Sequence, residues 1–298
     1  MRLDGYLLIG IAALGAGCVD QGFLANRKDA VAVVLGDFDD LTTSIVTLDI
    51  ASEPWDGFIV QATYSPPDDR LMRDDLQLRA ENLLTDTEDD LDLDNYGTVF
   101  VSSGTRGFGQ VQYNDGTIAD DGMIIDAALD NVCSFAKQGG LLVVTDWAYE
   151  IIEHCWPDNI EFVGDDLVVD DAQTGVANSA VAAAVNDAVL KEDLGDMVSL
   201  DYNYSAWSVI EGVGAGTEVL MSGDVEYQAS STESATTLTA APLIVRFAVG
   251  ESEGQVVYST FHISPQNPSV QQALLLDGMT GLVRGGGGVA DTGGTSGS

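Results

Sequence analysis

Residues 135–150 read FAKQGGLLVVTDWAYE, and this stretch decides the fold class. Its first residues end the amphipathic segment MIIDAALDNVCSFAK (123–137) at a glycine pair, which is a common stop for a helix. The apolar run LLVVT (141–145) then predicts a strand that is buried on both faces. The segment AYEIIEHCW (148–156) predicts the helix that follows. A helix, a buried strand and a helix in succession are typical of parallel β-α units.

The same alternation extends towards the N-terminus. AVAVVLG (30–36) and YGTVFVSSG (96–104) predict two further buried strands, and DRLMRDDLQLRAENLLTD (69–86) has leucines at helical spacing. The first half of the chain therefore predicts a largely parallel sheet with flanking helices.

The second half changes character. We expect a helix over VANSAVAAAVNDAVLKEDLG (176–195), a polar loop or hairpin tip over 228–240, and a last helix over PSVQQALLLDGM (268–279). Four further runs predict strands, several of them short and antiparallel: 197–212, 217–228, 241–250 and 254–262. The fold class that follows is α/β, a flavodoxin-like domain over 30–284 with additional antiparallel strands in its C-terminal half.

The N-terminal residues resemble a secretory signal. Arg2 precedes an apolar run from Tyr6 to Leu14, and small residues lead to Cys18. A cysteine in that place resembles a bacterial lipobox, in which the thiol is lipidated and becomes the new N-terminus. We therefore expect a signal peptide over 1–17, with a plain secreted protein or an uncleaved anchor as the alternatives.

Export as a lipoprotein sets the expected location of the protein. The segment 18–29 is then a tether from a lipid on Cys18 to the domain, and the glycine-rich segment 285–298 predicts a disordered tail. Val19 after Cys18 is not a retention signal for the inner membrane, which favours the outer membrane of the cell envelope.

Two other cysteines, Cys133 and Cys155, remain after Cys18. An even pair in an oxidising compartment allows a disulfide. The alternative is two separate buried thiols that pack as small hydrophobes. The sequence leaves both open.

The net charge of −37 limits the partners of this chain. Such a chain repels nucleic acid and anionic lipid surfaces, so we expect no nucleic-acid partner. The partners that remain are the membrane, through the lipid on Cys18, and an envelope protein or a small ligand.

Polar residues follow several predicted strands, at the edge of an open α/β sheet where sites form. They occur in GDFDD (36–40), SSGTRG (102–107), TDW (145–147) and FHIS (261–264). Carboxylate and imidazole side chains, which bind several divalent cations, occur among them: Asp37, Asp39, Asp146 and His262. Apart from this optional cation, the sequence predicts no cofactor.

Three segments resemble class I glutamine amidotransferase-like domains. FAKQGGLLVVTDWAYE (135–150) is similar to the strand and elbow that carry the nucleophilic cysteine, and GQVVYSTFHISPQ (254–266) to the late strand that carries the catalytic histidine and glutamate. DNYGTVFVSSG (94–104) is similar to the segment before the oxyanion turn. The resemblance implies that His262 stands where the catalytic histidine does.

Carried over residue by residue, the resemblance leaves two of the three catalytic roles empty. The elbow has Thr145, Asp146 and Trp147 without a cysteine, and Ser264 stands at the glutamate position. Acyl transfer needs a nucleophile beside its base and a third group that orients the base. The remaining catalytic candidates are His262, Asp146 as a carboxylate nucleophile, and Ser103.

The sequence therefore favours a cell-envelope lipoprotein with a degenerate amidotransferase-like domain and a binding or scaffolding role. The alternative is a hydrolase, metal-dependent or aspartate-based, that acts at the strand ends. For His262 itself, the alternative to catalysis is a packed and hydrogen-bonded structural role.

Overall fold

The computed structural model describes residues 31–35, 56–59, 93, 96–101, 111–112, 118–119, 122–164, 174–203, 207–228, 234–251 and 254–275. The strands in these ranges are β1 (Val31–Leu35), β2 (Asp56–Ile59), β3 (Thr98–Val101), β4 (Val111–Gln112), β5 (Ile118–Ala119), β6 (Leu141–Thr145), β7 (Ile160–Phe162), β8 (Thr174–Gly175), β9 (Asn178–Val185), β10 (Met197–Tyr202), β11 (Ile210–Val213), β12 (Glu218–Gln228), β13 (Thr236–Val249) and β14 (Gly254–Ser259). The helices are α1 (Gly122–Lys137), α2 (Tyr149–Cys155), α3 (Ala188–Leu194) and α4 (Pro268–Ala273).

One mixed sheet of ten strands organises the described part of the chain. Its order is β10-β9-β12-β13-β14-β6-β3-β1-β2, and β8 also pairs with β12. Neighbouring strands within the group β2, β1, β3, β6 and β14 are parallel to each other. Neighbouring strands within the group β14, β13, β12, β9 and β10 are antiparallel. The predicted α/β fold class is confirmed, because the parallel strands follow the flavodoxin-like order and the antiparallel strands come from the C-terminal half.

The sheet has a hydrophobic core on each face. Leu142 and Val144 of β6 pack in a cluster with residues of α1 and α2. Leu141 and Val143 pack in the opposite cluster, with residues of α3 and α4. Because successive side chains of a strand point to opposite faces, a continuous apolar run is what a strand between two cores requires.

The predicted helix over 176–195 is wrong for its first half. This segment forms β9 and then α3, which is limited to Ala188–Leu194. Val181, Ala183 and Val185 are buried, whereas Ala182 between them is exposed. This period of two suits a strand, and burial against the sheet outweighs the high helix propensity of alanine.

The start of α3 has a local cause. The Asp187 carboxylate accepts hydrogen bonds from the backbone N–H groups of Val189 and Leu190, at 2.9 and 3.0 Å. A side chain that satisfies the first free N–H groups of a helix marks its N-terminus. The helix therefore begins at Ala188 rather than at the start of the alanine-rich run.

One boundary near the C-terminus also differs from the prediction. The sequence predicts a polar loop or hairpin tip over 228–240. The flanking strands β12 and β13 pair in antiparallel fashion, as a hairpin requires, but β13 begins already at Thr236, which pairs with Tyr227 of β12. The first half of the helix predicted over 268–279 is confirmed as α4, which begins after the N-cap residue Asn267 and ends at Ala273, and 276–279 lie outside the described residues. The strands predicted at 30–36, 96–104 and 141–145 are confirmed as β1, β3 and β6.

Several predictions fall outside the described residues. These are the signal peptide over 1–17, the tether over 18–29, the helix over 69–86 and the tail over 285–298. Among the residues that are described, no helix has both the length and the apolar character needed to cross a bilayer.

A disulfide joins Cys133 of α1 to Cys155 of α2, with their Cα atoms 5.5 Å apart. Of the two alternatives left open by the sequence, the structure has the bonded pair. The bond closes a loop with a sequence separation of 22 and ties together the two helices that flank β6. It therefore restrains the segment that leaves the end of β6.

Replacing both cysteines, Cys133→Ala with Cys155→Ala, should lower the free energy of unfolding by about 3 kcal/mol, because a loop of this length restricts the unfolded chain by that amount. Denaturant unfolding of the oxidised proteins measures the difference. Dithiothreitol should lower the midpoint of the wild type and leave that of the double variant unchanged. Equal midpoints for the two oxidised proteins would contradict the prediction.

Candidate functional site

Asp146 is the first residue after β6 and occupies an unusual backbone conformation. Its φ is 50°, in the left-handed region, and it opens the 3-10 turn Asp146–Ala148 that leads into α2. A residue with a Cβ pays about 1 kcal/mol for this conformation, and aspartate tolerates it better than most. Asp146 is also buried, with 1% of its surface exposed. The surrounding contacts must therefore hold it in place.

His262 lies beside Asp146 because the strands that precede the two residues are neighbours. β14 pairs with β6 in parallel, and Ser259 is in register with Thr145, so both strands end at the same edge. Nε2 of His262 contacts Oδ2 of Asp146, and the imidazole is 3% exposed. The structure thus brings together two residues that are 116 positions apart in the chain.

Two further side chains hold Asp146. The Tyr258 hydroxyl donates to its backbone oxygen at 2.6 Å, and the Ser208 hydroxyl lies 3.3 Å from the same oxygen and contacts the Tyr258 hydroxyl. The Ser208 backbone N–H donates to Oδ1 at 3.3 Å. Both carboxylate oxygens and the carbonyl of Asp146 therefore have partners, as a buried polar residue requires.

The tyrosines around the pair are neutral donors. Burial raises the pKa of the Tyr258 hydroxyl well above its usual value, and the Asp146 charge raises it further. Burial also raises the pKa of Tyr202, whose hydroxyl lies 2.8 Å from Oγ1 of Thr260. A phenol that keeps its proton can donate to an oxygen, so Tyr258 holds the Asp146 carbonyl and Tyr202 holds Thr260 without adding charge.

Gln266 is a site residue that the sequence reasoning missed. It is 3% exposed, and its Nε2 donates to the backbone oxygens of His262 at 2.9 Å and of Asp201 at 2.8 Å. Its Oε1 accepts from the Asp201 N–H at 2.9 Å. Its place four residues after His262 is the one available signal, because the partner strand β10 lies more than sixty residues away in sequence.

Of the other predicted site residues, Ser264 is described and four lie outside the described residues. Ser264, at the position of the family's glutamate, accepts a hydrogen bond at its carbonyl from Nε2 of Gln271, at 2.7 Å. Asp37, Asp39, Ser103 and Cys18 lie outside the described residues. Of the candidate catalytic residues, the structure therefore places Asp146 and His262 together.

Of the four predicted metal ligands, Asp146 and His262 lie in the described region. No group of three or more His, Cys, Asp or Glu side chains suited to a metal ion occurs among the described residues. A cation held by Asp146 and His262 would also have to displace the contact between them. The optional divalent cation therefore stays a prediction that depends on Asp37 and Asp39.

The geometry limits the chemistry of the pair. In an acyl-transfer dyad, the histidine takes a proton from a hydroxyl or thiol that then attacks the substrate. Here the imidazole nitrogen faces a carboxylate oxygen, which accepts a hydrogen bond and has no nucleophilic proton to give. Both groups are also enclosed by the protein. The arrangement suits a buried, hydrogen-bonded pair that fixes two strand ends.

Comparisons with known proteins give distant likenesses. No protein-family model and no curated protein matches the chain. Among solved structures, it is similar to a GMP synthase candidate from Thermoplasma acidophilum, with a TM-score of 0.45 and 10% identity over 86% of this chain and 95% of that one.

Two larger enzymes are similar at a lower level. For the exo-β-1,4-mannosidase Op5Man5 from Opitutaceae bacterium strain TAV5, the TM-score is 0.38 at 11% identity, over 85% of this chain and 35% of that one. For the carbohydrate deacetylase Agd3, the TM-score is 0.38 at 11% identity, over 83% of this chain and 32% of that one. The chain thus spans about a third of the length of these two proteins. Likenesses with such TM-scores carry no argument about activity.

Breaking the buried pair should destabilise the protein strongly. We expect His262→Ala to lower the free energy of unfolding by about 3–5 kcal/mol, since it leaves a buried carboxylate without its partner. Asp146→Asn keeps the shape and tolerates positive φ, so it isolates the charge. The double variant Asp146→Asn/His262→Ala should cost less than the sum of these two single variants, by about 1 kcal/mol or more.

The matched control is the exposed contact between His154 Nε2 and Asp130 Oδ1, at 3.1 Å. His154→Ala should change the free energy of unfolding by less than about 1 kcal/mol, because exposed pairs contribute little. Denaturant unfolding measures all of these variants. If the costs at Asp146 and His262 simply add, the pair is not energetically coupled.

Proposed function

We propose that this chain is an exported, lipid-anchored protein of the cell envelope whose amidotransferase-like domain has a binding or scaffolding role and no amidotransferase activity. The membrane is reached through a lipid on Cys18, and the outer membrane is the expected location. The domain then has a surface that binds an envelope protein or a small ligand. The net charge of −37 argues against nucleic acid as a partner.

The observation that carries this proposal is the contact between Asp146 and His262. By the resemblance of 135–150 and 254–266 to amidotransferase-like domains, Asp146 stands at the elbow where those enzymes have their cysteine. Its carboxylate is engaged by His262 and by the Ser208 N–H, and the pair is buried. A substrate carbonyl therefore has neither a nucleophile nor a free base at this point.

The disulfide supports the export part of the proposal. Disulfides form and persist in oxidising compartments and are rare in the cytosol. Cys133 and Cys155 are bonded, and Cys18 is then the cysteine left for lipid attachment. Stable anchoring by lipid takes more than one acyl chain, because each buried methylene contributes about 0.8 kcal/mol.

One observation favours the alternative hydrolase. Nucleophiles of several enzymes sit on a strained turn between a strand and a helix, and Asp146 has a positive φ between β6 and α2 with a histidine alongside. Carboxylates do form covalent intermediates. An aspartate-based reaction would need the site to open, since 1% of Asp146 is exposed.

Hydrolysis assays distinguish the two functions. The purified mature protein should release no ammonia from glutamine and should not hydrolyse p-nitrophenyl acetate faster than His262→Ala does, with or without added Mg²⁺, Mn²⁺, Ca²⁺ or Zn²⁺. Activity that His262→Ala abolishes, in a variant shown to be folded, would overturn the proposal. Incorporation of ¹⁸O from water into the Asp146 carboxylate during turnover would then identify the aspartate-based route.

Lipid attachment has a separate test. Expressed with its N-terminal segment in a bacterial host, the wild type should incorporate labelled palmitate and fractionate with membranes. The variant Cys18→Ser should lose both properties, whereas Cys133→Ala with Cys155→Ala should keep them because these residues form the disulfide. Palmitate labelling that survives Cys18→Ser would show that the anchor is elsewhere.

A further inference from the structure

The strand β10 forms one edge of the ten-stranded sheet in the described part of the chain. The Val185 N–H donates to the Asp196 oxygen at 3.0 Å, and β10 pairs with β9 in antiparallel register. Hydrogen-bonding groups alternate between the two sides of such a strand. The N–H and C=O groups of Met197 and Ser199 therefore point away from β9, to the open side.

The next residue on the open side shows what these groups can bind. The side-chain amide of Gln266 accepts from the Asp201 N–H and donates to the Asp201 oxygen, at 2.9 and 2.8 Å. An amide thus occupies, at Asp201, the position that the backbone of a further strand would take. Met197 and Ser199 continue this edge outward, and an unpaired edge is a template for another strand.

Two large apolar side chains are exposed among the described residues, and they lie in β10 and in the helix that precedes it in the chain. Met197 is 55% exposed, and Val189, on the helix that leads into β10, is 44% exposed. An exposed methionine on an open strand gives an incoming side chain an adaptable apolar contact. Main-chain pairing together with alternate side-chain contacts is how strand addition recognises a peptide.

Charge selects the partner. Between 187 and 203 the chain has five carboxylates, at Asp187, Glu192, Asp193, Asp196 and Asp201, and one cation, Lys191. Lys191 contacts Asp196 at 3.7 Å and Arg246 contacts Asp187 at 3.9 Å, so an excess of negative charge remains. Glu192, Asp193 and Asp196 are exposed. A second copy of this chain would bring the same acidic edge and be repelled, whereas a basic segment would be attracted.

We propose that β10 is a docking edge for an extended, lysine- or arginine-bearing peptide segment of another protein, which pairs with Met197 and Ser199 as an added strand. This inference concerns a different surface from the Asp146–His262 contact, and it holds whether or not that pair is catalytic. It gives the chain a defined protein-binding surface and the kind of partner that fits it.

A fluorescein-labelled octapeptide of alternating valine and lysine is the probe. Fluorescence anisotropy with the full chain should show saturable binding that weakens as salt is raised, because exposed charges are screened. Hydrogen exchange at the Met197 and Ser199 amides should be fast in the free protein and slow with the peptide. Exchange that is already slow without the peptide would show that the edge is covered, and would overturn the proposal.

Variants separate strand pairing from general attraction to an acidic protein. Ser199→Pro removes an outward N–H without touching a bond to β9, and proline is tolerated on edge strands. It should weaken binding at least about tenfold, which corresponds to about 1.4 kcal/mol. Ser199→Ala keeps the N–H and should bind as the wild type does. If Ser199→Pro fails to fold, Met197→Lys serves as the second variant. It changes an exposed position and should also weaken binding.

The acidic residues have a matched control. Glu192→Gln, Asp193→Asn and Asp196→Asn together should reduce both affinity and its salt dependence. The triple variant Asp158→Asn, Glu226→Gln and Glu251→Gln removes the same charge elsewhere on the chain and should have a smaller effect.

Three further outcomes overturn the proposal. One is the absence of peptide binding, and another is equal binding by the wild type, Ser199→Pro and Met197→Lys. The third is a dimer in sedimentation that Ser199→Pro dissociates, because the occupant of the edge would then be a second copy of the chain.

Discussion

The contact between Asp146 and His262 is the constraint on which the described structure depends. Each residue follows one of two adjacent parallel strands, and together they fix the edge where β6 and β14 end. Burying either group alone would cost several kcal/mol, so each is tolerated in the interior because the other is present. The same contact helps to hold Asp146 at positive φ, and with it the turn that starts α2.

This constraint changes the meaning of the resemblance to amidotransferase-like domains. The chain has a histidine at the end of β14, but the facing residue is a carboxylate, which accepts a hydrogen bond and has no proton to give. Ser208, Tyr258 and Gln266 then fill the surrounding hydrogen-bonding positions. At the ends of β6 and β14, Asp146 and His262 are part of the packed interior.

The sequence predicts the strands that lie between two cores well, because burial on both faces produces an unbroken apolar run such as 141–145. It fails at 178–185, where alanines carry a helical preference and the sheet imposes a period of two. It identifies Asp146 and His262 as candidates through their positions after strands. It misses Ser208 and Gln266, because their contacts with 146 and 201 depend on which strands become neighbours, and no local pattern records that.

The position of β14 in the sheet has a consequence for how the chain folds. This last strand is parallel to β6 on one side and antiparallel to β13 on the other, so it is the seam between the two halves of the sheet. It pairs with a strand more than one hundred residues earlier, a loop closure that costs entropy before any contact forms. The parallel half therefore stays incomplete until nearly all of the described chain has been synthesised. We expect assembly to be slow for this reason, and the Asp146–His262 contact to form when the seam closes.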